Sequence, residues 1–158
     1  VDMLIKADRI HLFGVGGSEI AAMDLFNKLS RIGLNVRFTA DVHCQLLETS
    51  CMTPQSVALV FSHNGRTRDM VEACELTHDM GAKVISVTRF GRNPISDAAD
   101  LPLYVASTES LRRVTTMGSR LSTLVMVDVL FACLAGRLSD RIEPLAVRNS
   151  QIAAKRRK

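Results

Sequence analysis

The chain has 158 residues, 47% of them hydrophobic and 23% charged, which suits one globular domain. That balance excludes a disordered segment, a collagen-like fibre and a disulfide-stapled miniprotein. The formal charge of +4, with a pI near 9.1, is unevenly spread. From Arg137 onward seven Lys/Arg face only Asp140 and Glu143, a net of +5, whereas residues 1–136 carry a net of −1. The basicity therefore belongs to a C-terminal tail (139–158), and the body (1–138) reads as one neutral domain.

Aromatic residues make up 4% of the chain, with no Trp and Tyr104 as the single Tyr, so stacking platforms for single-stranded nucleic acid are poorly supplied. Cys44, Cys51, Cys74 and Cys133 form no CxxC pair and have no zinc-finger partner. They are expected to be reduced, mostly buried thiols in a cytoplasmic protein. No cluster of His, Asp and Glu has ligand spacing, so neither metal nor cofactor is expected. The N-terminus shows no signal peptide, and its missing initiator Met suggests a fragment of a longer protein. The longest apolar stretch, Leu121 to Gly136, is interrupted by Asp128 and is shorter than the ~20 residues of a membrane span, so no membrane partner is expected.

In chain order, Arg9 to Val15 is an apolar run ending in glycines, as in a buried strand. A helix follows from Ser18, with Ile20, Met23, Phe26 (with Ala22) and Leu29 at helical spacing and Gly33 closing it. Asn35 to Thr39 is a weaker strand, and Asp41 caps a helix containing Val42, Leu46 and Leu47 that stops before Pro54. Ser56 to Ser62 is a continuous apolar strand of the kind covered on both faces in a parallel sheet. A helix spans about Thr67 to Met80, Lys83 to Thr88 is the fourth strand, and Asn93-Pro94 opens a short helix. Leu101 to Ala106 is the fifth strand. The final helix, about Thr115 to Leu138, is apolar on nearly every face around Asp128. Such a helix is covered on several sides, by a second subunit or by its own domain. The alternation predicts an α/β fold with five parallel strands and right-handed crossovers, and the fold class is taken as a three-layer doubly wound sheet in the flavodoxin-like order 2-1-3-4-5.

Two loops carry chemistry. Gly14-Val15-Gly16-Gly17-Ser18 follows the first strand and opens its helix. Glu19 stands where a dinucleotide fingerprint has its third glycine, and no Gly-Lys-Ser/Thr is present, so neither nucleotide motif applies. Here Gly16, Gly17 and Ser18 allow backbone amides to approach an anion at a helix N-terminus. A tight turn with Ser18 merely capping accounts for the loop equally. The second loop, Ser62-His63-Asn64-Gly65-Arg66-Thr67, has more hydrogen-bonding side chains than a turn requires. Ser62, Asn64 and Thr67 can donate to phosphate, with the helix dipole supplying positive potential. In the 2-1-3-4-5 order the strands before these loops are neighbours whose crossovers diverge, so both loops face one crevice.

These loops resemble the signature of the phosphosugar-binding SIS (sugar isomerase) domain, a Gly-rich first loop ending in Ser and a Ser-x-Ser-Gly-x-Thr second loop. The resemblance runs from about Ala7 to Gly136, with Asn64 where Ser is usual. Phe61 through Val71, Gly81 through Thr88 and Met117 through Leu121 are similar to the sugar-phosphate-sensing half of RpiR/MurR-type bacterial transcriptional regulators. The resemblance implies an SIS fold that binds a sugar phosphate through Gly16, Gly17, Ser18, Ser62, His63, Asn64, Gly65, Thr67 and Glu109. It also implies an N-terminal helix-turn-helix domain, outside this chain, as the only route to DNA, and a homodimer or homotetramer formed through the last helix.

The rival reading is an aldose–ketose isomerase, which needs a base to move a proton between adjacent carbons. Glu109, near where SIS isomerases keep a catalytic Glu, and His63 are its candidates. Glu48 on a polar helix face and His43 in a first turn read as surface, capping or packing residues. His11 and His78 read as a strand residue and a solvated helix residue. Arg112, Arg113 and Arg120 suit the ligand's phosphate or an acidic substituent, or a pairing with Asp128 across a dimer. A sensor with no catalytic residue is the expectation.

Overall fold

A computed structural model describes residues 1–106 and 117–155. A short helix α1 (Asp2–Lys6) precedes β1 (Ile10–Gly14), α2 (Gly17–Arg31), β2 (Val36–Phe38) and α3 (Val42–Glu48), which ends in a single 3-10 turn. There follow β3 (Val57–Phe61), α4 (Arg68–Asp79), β4 (Lys83–Arg89), α5 (Pro94–Ala98), β5 (Leu101–Val105), α6 (Met117–Arg137) and α7 (Ser139–Lys155). Among the described residues all four strand pairings are parallel and the sheet order is β2-β1-β3-β4-β5, the doubly wound order expected.

Strand side chains alternate between faces, and the two cores separate on that period. Ile10, Leu12, Leu59, Phe61, Ile85 and Val87 face one layer, where α2 and α6 bring Leu25, Leu29, Val127 and Leu134. Phe13, Ala58, Val60 and Val84 face the other, against Met70, Ala73 and Cys74 of α4 and Ile95 of α5. Every residue of β1 and β3 is buried, which is why these strands read as unbroken apolar runs. The edge strand β5 is only partly covered and contains Pro102, which an edge position tolerates.

Several expectations change. In α2 the expected Ala22 and Leu29 are buried, together with Ala21 and Leu25, but Ile20 and Met23 are 38% and 45% exposed. The helix carries apolar residues on more than one face, and its packing on β1 and α6 selects the alanine-bearing one. The residue that α3 buries is Gln45, while Leu47 lies at the surface. Cys44, Cys51 and Cys133 are exposed, and Cys74 alone of the four thiols is buried. Residues 139–155 of the basic tail form a helix, α7, with no buried residue. It lies against the C-terminal end of α2, where Arg141 donates to the Gly33 carbonyl at 2.8 Å and Asn149 to that of Arg31 at 3.3 Å. The last apolar helix is therefore α6, not the end of the fold. It is long and apolar enough to cross a bilayer by length and composition. However, it packs Ser119, Thr123, Val127, Leu130 and Leu134 against its own domain.

Candidate functional site

The loops after β1 and β3 converge at the carboxyl edge of the sheet, where the strand order reverses. A cleft of about 160 Å³ lies there, lined by Gly17, Ser18, His63, Asn64, Thr67 and, from α6, Ser119, Arg120 and Thr123. On the first side, Gly16 adopts φ +58° as the N-cap of α2, a conformation that strains any residue with a Cβ. A Cβ on Gly14 would lie 3.1 Å from the Ser18 carbonyl, so the strand end and the first helical turn are in close approach. Ser18 sits inside that first turn rather than at the cap position, and lines the cleft. Behind the loop, the fully buried Gln45 accepts from the Gly14 amide at 3.1 Å and donates to the Gly14 and Thr39 carbonyls.

On the second side, Ser62 is 2% exposed and lies beneath the loop. Its hydroxyl is 3.1 Å from Thr67 Oγ1, and it donates to Asn64 Oδ1 at 3.4 Å. Asn64 Oδ1 also accepts from the Arg66 amide at 3.0 Å, a local turn that leaves the Asn64 amide group as a donor. Thr67 is the N-cap residue of α4, yet its side chain makes no cap bond and faces the cleft. The α4 helix thus begins at a residue of the cleft wall whose side chain does not cap it, an arrangement suited to an anion. Gly65 is buried at φ +65°, with its carbonyl accepting from Ile95 N at 3.2 Å.

Of the predicted residues, Gly17, Ser18, His63, Asn64 and Thr67 are brought together around the cleft. Gly16, Ser62 and Gly65 shape its two loops from the cap, from beneath and from behind. Glu109, Arg112 and Arg113 lie outside the described residues. His43 and Glu48 do not line the cleft. Glu48 is half-buried instead, its carboxylate 3.5 Å from Nδ1 of a fully buried His11. Burial, with Arg9 and Arg37 nearby, lowers the His11 pKa to about 4, so the imidazole is neutral and this approach is a contact rather than an ion pair. Asp128 pairs with Lys28 of α2, which also holds Asp24. Lys28 is a different partner from the arginines considered for Asp128 across a dimer.

Ser119 and Thr123 were not anticipated as cleft residues. Both are buried, and Thr123 donates to the Ser119 carbonyl at 2.8 Å. Their signal is present: hydroxyls four residues apart, beside Arg120, in a helix otherwise almost wholly apolar. Among the described residues lining the cleft, the cation-capable groups are Arg120 and His63, and no carboxylate faces them. No group of three or more His, Cys, Asp or Glu side chains gathers among the described residues as a metal site would.

The family model of the SIS domain matches residues 3–133. The chain belongs to the SIS domain family. Within it, the domain is closely related to the corresponding part of HTH-type transcriptional regulators. It is 37% identical over 130 residues to HexR of Pseudomonas aeruginosa, covering 82% of this chain and 45% of that protein. To RpiR of Escherichia coli it is 32% identical over 130 residues, covering 82% of this chain and 44% of that one. The SIS chain thus spans about half the length of the curated relatives it matches. Among solved structures, the Vibrio vulnificus NanR protein complexed with ManNAc-6P superposes with a TM-score of 0.88 at 23% identity, covering 98% of this chain and 58% of that one. The same fold serves a candidate sugar-phosphate isomerase from Listeria monocytogenes, with a TM-score of 0.76 at 18% identity over 87% of this chain and 74% of that one.

Proposed function

We propose that this SIS domain is the effector-sensing half of an RpiR-type regulator acting in the cytoplasm. It binds a sugar phosphate in the cleft and pairs with further copies of itself. In the whole protein it governs how a helix-turn-helix domain engages DNA, and contacts DNA through no other part. The observation that carries this reading is the uncapped N-terminus of α4, flanked by Asn64 and Thr67 and facing Ser18, Arg120 and the start of α2 across one cleft. Hydroxyls, an amide, a guanidinium and two helix N-termini recognise a phosphate and the hydroxyls attached to it. The relation to HexR and RpiR, and the ligand in the NanR structure, support the same assignment. Self-association rests on α6, where Met117, Leu121, Val125 and Val129 form a stripe, each more than half exposed.

A second reading, sugar-phosphate isomerisation, is favoured by His63, a titratable side chain on the cleft wall. One experiment separates the two. The domain is screened by thermal shift against sugar phosphates, and each hit is incubated and assayed for isomerised product. Stabilisation without product is expected, since a ligand at a hundredfold its Kd adds about 2.7 kcal/mol. Turnover at an enzyme-like rate would establish the isomerase instead.

A further inference from the structure

The geometry points to Asn93, a residue outside the cleft, as the positioning residue that sets the shape of the anion-binding loop. This rests on the assignment of the Ser62–Thr67 loop as the phosphate site. That loop is fastened from behind by three backbone hydrogen bonds to the β4–α5 segment. Ser62 N donates to the Val87 carbonyl at 3.1 Å, Arg89 N to that of His63 at 2.8 Å, and Ile95 N to that of Gly65 at 3.2 Å. The first two attachments belong to β4 and are held by the sheet. The third hangs on the connection between β4 and α5, where Phe90, Gly91 and Arg92 are exposed and Gly91 adopts φ +111°.

Asn93 is the buried group in that connection, 5% exposed, and every polar atom of its side chain is used. Nδ2 donates to Thr88 Oγ1 at 3.1 Å and to the Gly91 carbonyl at 3.0 Å, tying the turn back to the end of β4. Oδ1 accepts from Ser96 N at 2.9 Å, while Ser96 Oγ accepts from Asn93 N at 3.1 Å, closing a capping box on α5. The same amide lies against Gly65, where an added Cβ would come within 1.8 Å of Oδ1. One side chain therefore holds the α5 amide that grips Gly65 and also forms the wall against which Gly65 rests. Hydrogen bonds to an anion weaken steeply with misalignment. A loop released by a fraction of an ångström loses affinity although no ligand contact has been removed.

Two variants separate positioning from mere support of α5. Asn93→Ala removes both functions, whereas Asn93→Ser keeps a helix cap and loses the bridge to Thr88 and Gly91. Asp100→Asn serves as the control for lost stability. It lies at the opposite end of the sheet, where Asp100 accepts from Lys83 Nζ and Val84 N, each at 2.8 Å, and from neither cleft loop. Affinity is measured with inorganic phosphate and glucose 6-phosphate as probes, and the amide resonances of Gly65, Arg66 and Thr67 are followed without ligand. Both Asn93 variants are expected to bind about tenfold more weakly and to shift those resonances, the loss of roughly one charge-assisted hydrogen bond. Asn93→Ser regains most of the melting temperature without the affinity, and Asp100→Asn melts lower at unchanged affinity. Wild-type affinity in either Asn93 variant, or an equal loss in Asp100→Asn, overturns the assignment. Should the wild-type domain bind neither probe, the phosphate-site reading fails. The ligand-free resonances still decide, because unmoved Gly65–Thr67 signals in Asn93→Ala would refute the positioning.

Discussion

Thr67 and Asn64 line the cleft, whereas Ser62 meets Thr67 Oγ1 from below. A hydrogen bond to a charged group is worth about 1.5–3 kcal/mol, so losing one donor and the support of another removes most of a weak ligand's affinity. The double variant Ser62→Ala/Thr67→Ala should abolish the sugar-phosphate thermal shift, and a retained shift would place the site elsewhere. Gly65 is a stricter position. A methyl group there would meet Asn93 at 1.8 Å on a backbone with φ +65°. Gly65→Ala should destabilise the fold by about 2–4 kcal/mol in urea denaturation and weaken ligand binding as well. The loop's residue types were legible in the sequence because turn chemistry and helix N-termini are local. Gln45 and Asn93 were not legible as supports, since their partners are placed by contacts far along the chain or by the folding of a neighbouring loop.

Among the elements, the five strands and the helices between them follow from period-2 and period-3.6 patterning, and their observed bounds lie within about two residues of those patterns. Helix faces are another matter. In α2 the expected Ala22 and Leu29 are buried and Phe26 is half-buried, but Ile20 and Met23 are exposed and Ala21 and Leu25 face the core instead, because packing against α6 favours small residues there. In α6 the inward row from Ser119 to Leu134 leaves Met117, Leu121, Val125 and Val129 facing outward. Burying such a row against a second copy removes apolar surface from water at about 25 cal/mol per Å². Val125→Asp should shift the domain to smaller species in sedimentation without altering its circular dichroism. An unchanged oligomer would mean that the stripe is covered in some other way.

For the whole molecule, acidity acts through the buried His11. Its pKa in the folded state, about 4, lies below the 6.5 of the unfolded chain, chiefly through burial and then through Arg9 and Arg37, with Asp8 opposing. The unfolded state therefore binds the extra proton, and stability falls as pH drops from about 6.5 to 4. The size of the loss is about 3 kcal/mol at most. Glu48 works the other way: burial raises its folded pKa, so it gains a proton earlier in the native state and offsets part of the loss. Urea midpoints between pH 7 and 4 should decline in the wild-type domain and flatten in His11→Val. Parallel slopes would exclude His11 as the source.

The sequence by itself determined the parallel α/β fold, the order of its strands and the two polar loops that open helices. The strands, helices and loops are encoded in short-range patterning and turn chemistry, the strand order follows from the doubly wound topology the SIS resemblance implies, and the neutral body with its basic end is simple counting. Only the tertiary structure decided which side chains meet. It brought Ser119, Arg120 and Thr123 from a distant helix to the cleft, put Ser62 beneath the cleft rather than on its wall, and set residues 139–155 in a helix against the C-terminal end of α2. The physical reason is that hydrogen-bond satisfaction and close packing act between segments far apart in the chain. Periodicity shows that a helix has an apolar face, but the neighbour it packs against determines which face is buried.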